Sequence, residues 1–252
     1  MPIRAFQRVF ISTLALCFCA VGTGVARSAE SDNFAVLVFS KTGGFRHDSI
    51  EAGVDAVRTL GENNGFAVDA TEDNKVFTDE RLSKYREVIF LSTTGEILDA
   101  DERAAFERFV RRGGGFVGIH SASDTGYEWP WYGRLVGNYF HRHPAIQRAR
   151  LEVVDASHPS TRHLPIEWTR IDEWYDFRNE LDPAISVLIR IDEKSYRGGR
   201  MGTRHPMAWC HDYDGGRAWY TALGHTTASY SEPLFLEHIL GGILWAAGLA
   251  PK

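Results

Sequence analysis

Four short apolar runs, each followed by a glycine-bearing or polar turn, constrain this chain more than any other feature. They are Phe34 to Ser40 (FAVLVFS), Phe66 to Ala70, Glu87 to Ser92 (EVIFLS) and Phe116 to His120. The first is apolar almost throughout, as a strand covered on both faces must be. Helical patterns fill the gaps. Asp48 and Glu51 stand at capping-box spacing ahead of a helix that runs to about Asn63. Thr78 to Tyr85 reads as a short helix. Asp101 to Arg112 puts Ala105, Phe106, Phe109 and Val110 on one face, and the triple glycine Gly113-Gly114-Gly115 stops it. Strand–helix alternation with short connections predicts an α/β domain with a doubly wound, mostly parallel sheet and helices on both faces.

From Trp129 onward the pattern loosens. Short strands near Leu151–Val154, Ser186–Ile191, Met207–His211 and Arg217–Leu223 predict an antiparallel or mixed extension. Asp214-Gly215-Gly216 is a hairpin signal between the last two. Ser231 is the expected cap of a final helix from Pro233 to about Ala247.

The first stretch belongs to targeting rather than to the fold. Arg4 and Arg8 precede the apolar run Val9 to Val21, and small residues follow. The run is too short to span a bilayer, so residues 1–29 read as a secretory signal peptide cleaved near 26–29. Residues 30–252 are then one α/β domain, with no stable membrane anchor after cleavage. Bulky Leu16 and Phe18 precede Cys17 and Cys19, which argues against a lipoprotein. Cleavage after Ala26 removes two arginines and no acids, taking the formal charge from −5 to −7. The mature chain keeps a single cysteine, Cys210. Export without a disulfide points to a bacterial periplasm. A mildly acidic chain without a basic block excludes nucleic acid as a natural partner. A homo-oligomer is compatible with all of this.

His120 ends the fourth run, at the position where an open α/β sheet binds ligands. Turns of the form Gly-x-nucleophile-x-small usually present Ser or Cys there. Gly118-Ile119-His120-Ser121-Ala122 presents an imidazole, a poor covalent catalyst but a good base or metal ligand. His47 follows the first run and should meet His120 at the carboxyl edge of the sheet. His225 follows Gly224 at the end of the last run and joins them only if its strand lies nearby. Taken singly, each histidine is most simply a hydrogen-bonded surface or core residue. Together with one carboxylate, two or three of them suit Zn²⁺, Mn²⁺ or Fe²⁺. His47, His120 and His225 are therefore the candidate metal ligands, although no local ligand motif such as HExxH exists.

Acidic partners are Asp124, four residues after His120, and the cluster Asp172-Glu173-Trp174-Tyr175. Arg46 and Arg217 adjoin glycine-rich turns, where an arginine holds a carboxylate or polarised oxygen, or simply forms a surface ion pair. Gly43-Gly44 offers backbone N–H groups to a ligand. Tyr127, Trp129, Trp131 and Trp174 lie in expected loops beside polar residues, an arrangement that suits sugar rings. Their alternative role is ordinary core packing. Cys210 sits inside an expected strand and reads as a buried thiol.

These motifs resemble a known family. Lys41-Thr42-Gly43-Gly44-Phe45-Arg46-His47, Gly114 to Ala122, Gly137-x-x-Phe140-x-x-His143-Pro144, Asp172-Glu173-Trp174-Tyr175 and Gly215-Gly216-Arg217-x-x-Tyr220-x-x-Leu223-Gly224-His225 are similar to the ThuA-like, trehalose-utilisation family. The resemblance runs from about Phe34 to Leu249. It implies a class I glutamine-amidotransferase-like, flavodoxin-like fold, with His120 where the amidotransferase cysteine would stand, so glutaminase activity is not expected. It implies carbohydrate substrates, trehalose-like disaccharides and 3-keto-sugars among them. His47, His120, His143, Glu173, Tyr175, Arg217 and His225 carry over from its motifs. Secretion departs from a purely cytoplasmic catabolic role.

The residues put forward as catalytic are His47, His120, Glu173 and Arg217. Those put forward for substrate binding are Phe45, Arg46, Asp124, Trp129, His143, Trp174, Tyr175 and His225. The leading expectation is an enzyme on oxidised sugars. A base, His120 or Glu173, removes the acidic proton next to the keto group while Arg217, a histidine or a metal holds the enediolate oxygen. The alternatives are a glycan-binding module without turnover and a metal-dependent glycoside or ester hydrolase.

Overall fold

Residues of the apolar runs form the centre of one sheet in the computed structural model, which describes Met1 and residues 34–249. The expected signal peptide and its cleavage region lie outside the described residues, apart from Met1. Strands β1 (Ala35–Phe39), β2 (Ala67–Thr71), β3 (Glu87–Leu91) and β4 (Gly115–Ile119) alternate with helices α1 (Ile50–Asn64), α2 (Asp79–Leu82) and α3 (Ala100–Arg111). After β4 come α4 (Pro130–Val136), β5 (Phe140–Arg142), β6 (Gln147–Val153), β7 (Glu167–Asp172), β8 (Asp176–Phe177), β9 (Ser186–Ile191), β10 (Pro206–Tyr213), β11 (Gly216–Thr221) and α5 (Pro233–Ala246). No helix among the described residues is long and apolar enough to cross a membrane.

The main sheet has nine strands in the order β2-β1-β3-β4-β11-β10-β9-β6-β7. The five from β2 to β11 are parallel. The remaining four add antiparallel. Counting β11 as the fifth parallel strand gives the order 2-1-3-4-5 of a flavodoxin-like sheet. The side chains of β3 alternate between its two faces. Phe90 meets Phe106 of α3 at 5.4 Å and Tyr132 of α4 at 5.6 Å between ring centroids. Its neighbour Leu91 points the other way, onto α1, where Gly53 is small enough to lie against it. Helices therefore cover both faces, and the expected fold class holds.

The antiparallel half departs from the sequence reading in detail. β10 and β11 form the expected hairpin. Asp214 (φ 48°) and Gly215 (φ 100°) both take the left-handed conformation that a tight two-residue turn needs. β7 was not expected, because its buried positions are Trp168, Arg170 and Asp172 while Ile171 faces outward. Charge on the inner face hides a strand from any hydrophobic alternation. α4 begins with Pro130 at its first turn and carries aromatic residues that read as a loop. The capping box expected from Asp48 and Glu51 is absent: Ser49 precedes α1 and makes no side-chain cap. The capping box present belongs to Asp99 and Glu102 at the start of α3. Glu232, not Ser231, precedes α5.

Candidate active site

Parallel pairing of β11 with β4 supplies what the sequence left open. Thr221 is in register with Ile119, so the turns after both strands leave the sheet side by side. His120 begins one turn and His225 lies in the other. His47 arrives from the loop after β1. Nε2 of His120 lies 3.1 Å from Nε2 of His47 and 3.2 Å from Nδ1 of His225. Glu173 enters from the segment after β7, its Oε2 3.2 Å from His225 Nδ1 and 3.6 Å from His120 Nε2. One atom from each of His47, His120, His225 and Glu173 falls within 4.8 Å of all the others, so the four can share one ion.

Each of these side chains is held from behind. The ring of His120 is fully buried, and its Nδ1–H donates to the Ala222 carbonyl at 2.8 Å. That contact fixes the tautomer and leaves the Nε2 lone pair facing the cluster. His120 has φ of +52°, and its carbonyl accepts the Tyr220 hydroxyl at 2.7 Å. A non-glycine residue held there costs on the order of 1–3 kcal/mol, and such strain persists only where the surroundings enforce it. His47 Nδ1 lies 3.3 Å from Ser121 Oγ. Nδ1 of His143 lies 2.9 Å from the second oxygen of Glu173, and its N–H donates to the Pro144 carbonyl, also at 2.9 Å. The Tyr175 hydroxyl donates to His120 Nε2 at 3.0 Å.

Asp172 is the staple that brings Glu173 from the far edge of the sheet to its centre. It is fully buried and accepts the backbone N–H groups of Glu173 (2.9 Å), Gly224 (2.9 Å) and His225 (3.1 Å). Gly224, with φ of +106°, makes that approach without steric cost. Arg170 faces Asp172 at 3.3 Å and lies over the rings of Trp168 and Phe235. The roles of Asp172 and Arg170 were missed; two charged residues on the inner positions of one strand were the available signal.

The electrostatics separate the histidines. Burial pushes His47 down to about 4, with the neighbouring His225 adding to it. Burial and the proximity of His47 hold His120 well below the usual histidine range. Burial also disfavours charge on His225, but its hydrogen bond to Glu173 and that carboxylate's charge outweigh burial and raise it. Burial and Glu173 together push the Tyr175 hydroxyl well above its ordinary value. At neutral pH, His47 and His120 are therefore neutral imidazoles, each with one acceptor nitrogen.

Residues 35–246 match the ThuA family, described as trehalose utilisation. The chain belongs to the ThuA family. A putative ThuA-like protein from Bacteroides uniformis ATCC 8492 superposes with a TM-score of 0.74 at 23% identity, covering 88% of this chain and 94% of that one. A putative ThuA-like protein from Parabacteroides merdae ATCC 43184 gives 0.72 at 21% identity, covering 87% and 92%. A β-galactosidase from Bacillus circulans sp. alkalophilus shares the fold at 0.57 and 15% identity, over 86% of this chain and 31% of that one. No curated protein matches the chain. The ThuA match ties the chain to carbohydrate utilisation.

The remaining ThuA motif residues divide between the site and other places. Phe45 is 67% exposed with its ring 4.9 Å from that of His47, at the mouth of the cluster. His143, with a 42% exposed side chain, forms the rim on the other side of Glu173. Arg217 is not in this group. It lies in the first turn-proximal part of β11, four residues before Thr221, which at about 3.3 Å per residue puts it about 13 Å from the carboxyl edge. There its guanidinium donates to the Trp245 carbonyl at 2.9 Å and borders a cleft of about 800 Å³ with Gly113, Gly114 and Asp214.

Arg46 is an exposed ion-pair residue between Glu51 (2.7 Å) and Glu72 (2.8 Å). Asp124 accepts the Tyr127 hydroxyl at 2.5 Å and, among the described residues, makes no hydrogen bond with the histidine cluster. The indoles of Trp129 and Trp174 are core: the first donates to Glu107 and stacks on Trp131, and the second is fully buried and donates to the Gln147 carbonyl. Gly43 and Gly44 spend their N–H groups on Thr94. Cys210 is buried in β10 with its thiol pushed up to about 12 by burial.

Proposed function

We propose that this chain is a carbohydrate enzyme that acts on 3-keto-sugars or 3-keto-glycosides by removing the proton next to the carbonyl, without a covalent nucleophile. The observation that supports this reading is the convergence of His47, His120, His225 and Glu173, with Tyr175 and His143, at the sheet edge where an acyl-transfer enzyme would carry Cys or Ser.

A keto group at C3 acidifies the adjacent C–H, so a positioned base suffices to break it. The two bases expected from sequence fare differently. His120 is fully buried, with its lone pair turned inward to its neighbours. Glu173 reaches the mouth through His143. In the tautomer that donates Nδ1–H to the Pro144 carbonyl beside Glu173, Nε2 of His143 is the ring's acceptor and stands at the exposed rim. In this scheme Nε2 takes the C–H proton. The electron pair moves onto the carbonyl oxygen, and the resulting enediolate faces the buried centre. Reprotonation on the other carbon gives the isomer; loss of the glycosidic oxygen gives elimination. Phe45 at the mouth offers a flat face to the sugar ring. If residues 1–29 are the expected signal peptide, the reaction in this proposal takes place in the periplasm.

The test is incubation of the purified protein with 3-keto-trehalose in D₂O. The reading expects deuterium at the carbon next to the keto group, or release of glucose, and a fall of at least a hundredfold in His143→Gln. Binding of the keto-sugar with neither exchange nor product would refute it and favour a glycan-binding module.

A further inference from the structure

We propose that Nε2 of His47, Nε2 of His120, Nδ1 of His225 and Oε2 of Glu173 form a binding site for one divalent first-row transition-metal ion. The inference rests on the geometry of the donors and not on the reaction assigned above.

Spacing is the first argument. Two donors that each sit about 2.1 Å from one ion, at angles between tetrahedral and octahedral, are about 3.0–3.4 Å apart. The distances found are 3.1 Å for His120–His47, 3.2 Å for His120–His225, 3.2 Å for His225–Glu173 and 3.6 Å for His120–Glu173. These side chains come from four separate segments of the chain, so local sequence does not force the arrangement.

Hydrogen-bond bookkeeping is the second. Nδ1–H of His120 is committed to Ala222, so its Nε2 is an acceptor. That single lone pair is approached by His47, His225 and Tyr175 together. A neutral imidazole nitrogen accepts one good hydrogen bond, whereas a cation among the donors satisfies all four at once.

The surroundings of the donors are the third. The opposite nitrogen of His120 donates to a backbone carbonyl, that of His47 meets Ser121, and the free oxygen of Glu173 lies 2.9 Å from His143 Nδ1. Fixed outer partners of this kind are what orient ligands around an ion. Three imidazoles and a carboxylate select zinc, manganese or iron over calcium and magnesium. The second acidic–histidine group, Asp176, Glu193 and His205, offers a contrast. Its carboxylates already hold Arg142, the Arg200 N–H, the N–H groups of Met201 and Gly202, and His205 itself. It is a spent structural network with no donor left over.

The experiment is titration of the chelator-stripped protein with Zn²⁺, Mn²⁺ and Co²⁺ separately, read by calorimetry and, for Co²⁺, by visible absorption. The expected result is one equivalent per chain with micromolar or tighter affinity for at least one ion. His47→Ala and His225→Ala should weaken it at least a hundredfold, and His141→Gln, an exposed change on β5, should leave it within twofold. X-ray absorption of the bound zinc should count three imidazole shells, which keeps the test decisive if an alanine variant does not fold. Failure of all three ions to bind stoichiometrically, binding equally tight in the alanine variants, or a coordination shell without three imidazoles would each overturn the proposal.

Discussion

Nε2 of His47 and Nε2 of His120, 73 residues apart in sequence, stand 3.1 Å from each other with their rings nearly perpendicular. Both rings are buried, and both are held neutral by burial. Two buried imidazoles in mutual contact stabilise nothing by themselves. The arrangement is retained against a desolvation cost, as functional centres commonly are.

Replacing His120 by glycine separates function from stability. The residue sits at φ +52°, which glycine adopts freely. His120→Gly should lose at least a thousandfold in turnover while the backbone strain of roughly 1 kcal/mol or more is relieved. Chemical denaturation of His120→Gly and His120→Ala side by side gives the check. Glycine should be the more stable of the two.

Asp172→Asn should damage both stability and activity. One oxygen of the carboxylate accepts the Gly224 N–H and faces Arg170; the other accepts two further N–H groups. An amide nitrogen at either place repels a donor, and buried Arg170 loses one of its two carboxylate partners, keeping only Glu232 and the Ser229 hydroxyl. A loss of about 2–4 kcal/mol is expected. Thermal melting measures it, and turnover should fall further than stability explains because Glu173 and His225 share the staple.

Arg217→Lys tests the placement of that residue at the amino edge of the sheet. The change should leave kcat/KM within twofold. It should lower the melting midpoint by a few degrees, because the planar contact with Trp245 is lost. A large kinetic defect would restore Arg217 to the site.

Acid should destabilise the protein through histidines far from the reaction. Burial pushes His238 down to about 3 and His158 down to about 4. Below the ordinary histidine value of 6.5, the unfolded chain binds these protons and the folded chain does not. Stability therefore falls as pH drops from about 6.5 toward 4, and is regained above it. At pH 5 the expected loss is about 2 kcal/mol for each group. Urea midpoints at pH 7 and pH 5 test the slope, and His238→Gln should flatten it.

The parallel half of this fold was legible because its strands are apolar on both faces. Val36 to Phe39, Glu87 to Leu91 and Gly115 to Ile119 are buried throughout, and the pattern is the direct imprint of that burial. From there, the meeting of His47 and His120 followed from topology alone. The place of His225 did not. It depends on β11 pairing with β4 across about a hundred residues, and no local pattern encodes a pairing partner. Arg217 was misplaced for the same reason: it sits in a motif with His225, but a strand runs between them and carries them to opposite edges. The tryptophans were read as ligand surfaces because polar neighbours in sequence resemble a loop. In space, Trp129 and Trp174 point their one N–H at Glu107 and Gln147 and bury the rest.

The strands β5 and β8 form a small sheet separate from the nine-stranded one, and β5 ends at Arg142, immediately before His143. A two-stranded ribbon has little stability of its own. The floor of the pocket, built from the loops after β1, β4 and β11, rests on the central sheet, and the wall that carries His143 does not. Substitutions can therefore alter the wall, changing which ligands fit, without touching the three imidazoles beneath. What can vary and what must stay fixed then lie in physically separate pieces of one chain.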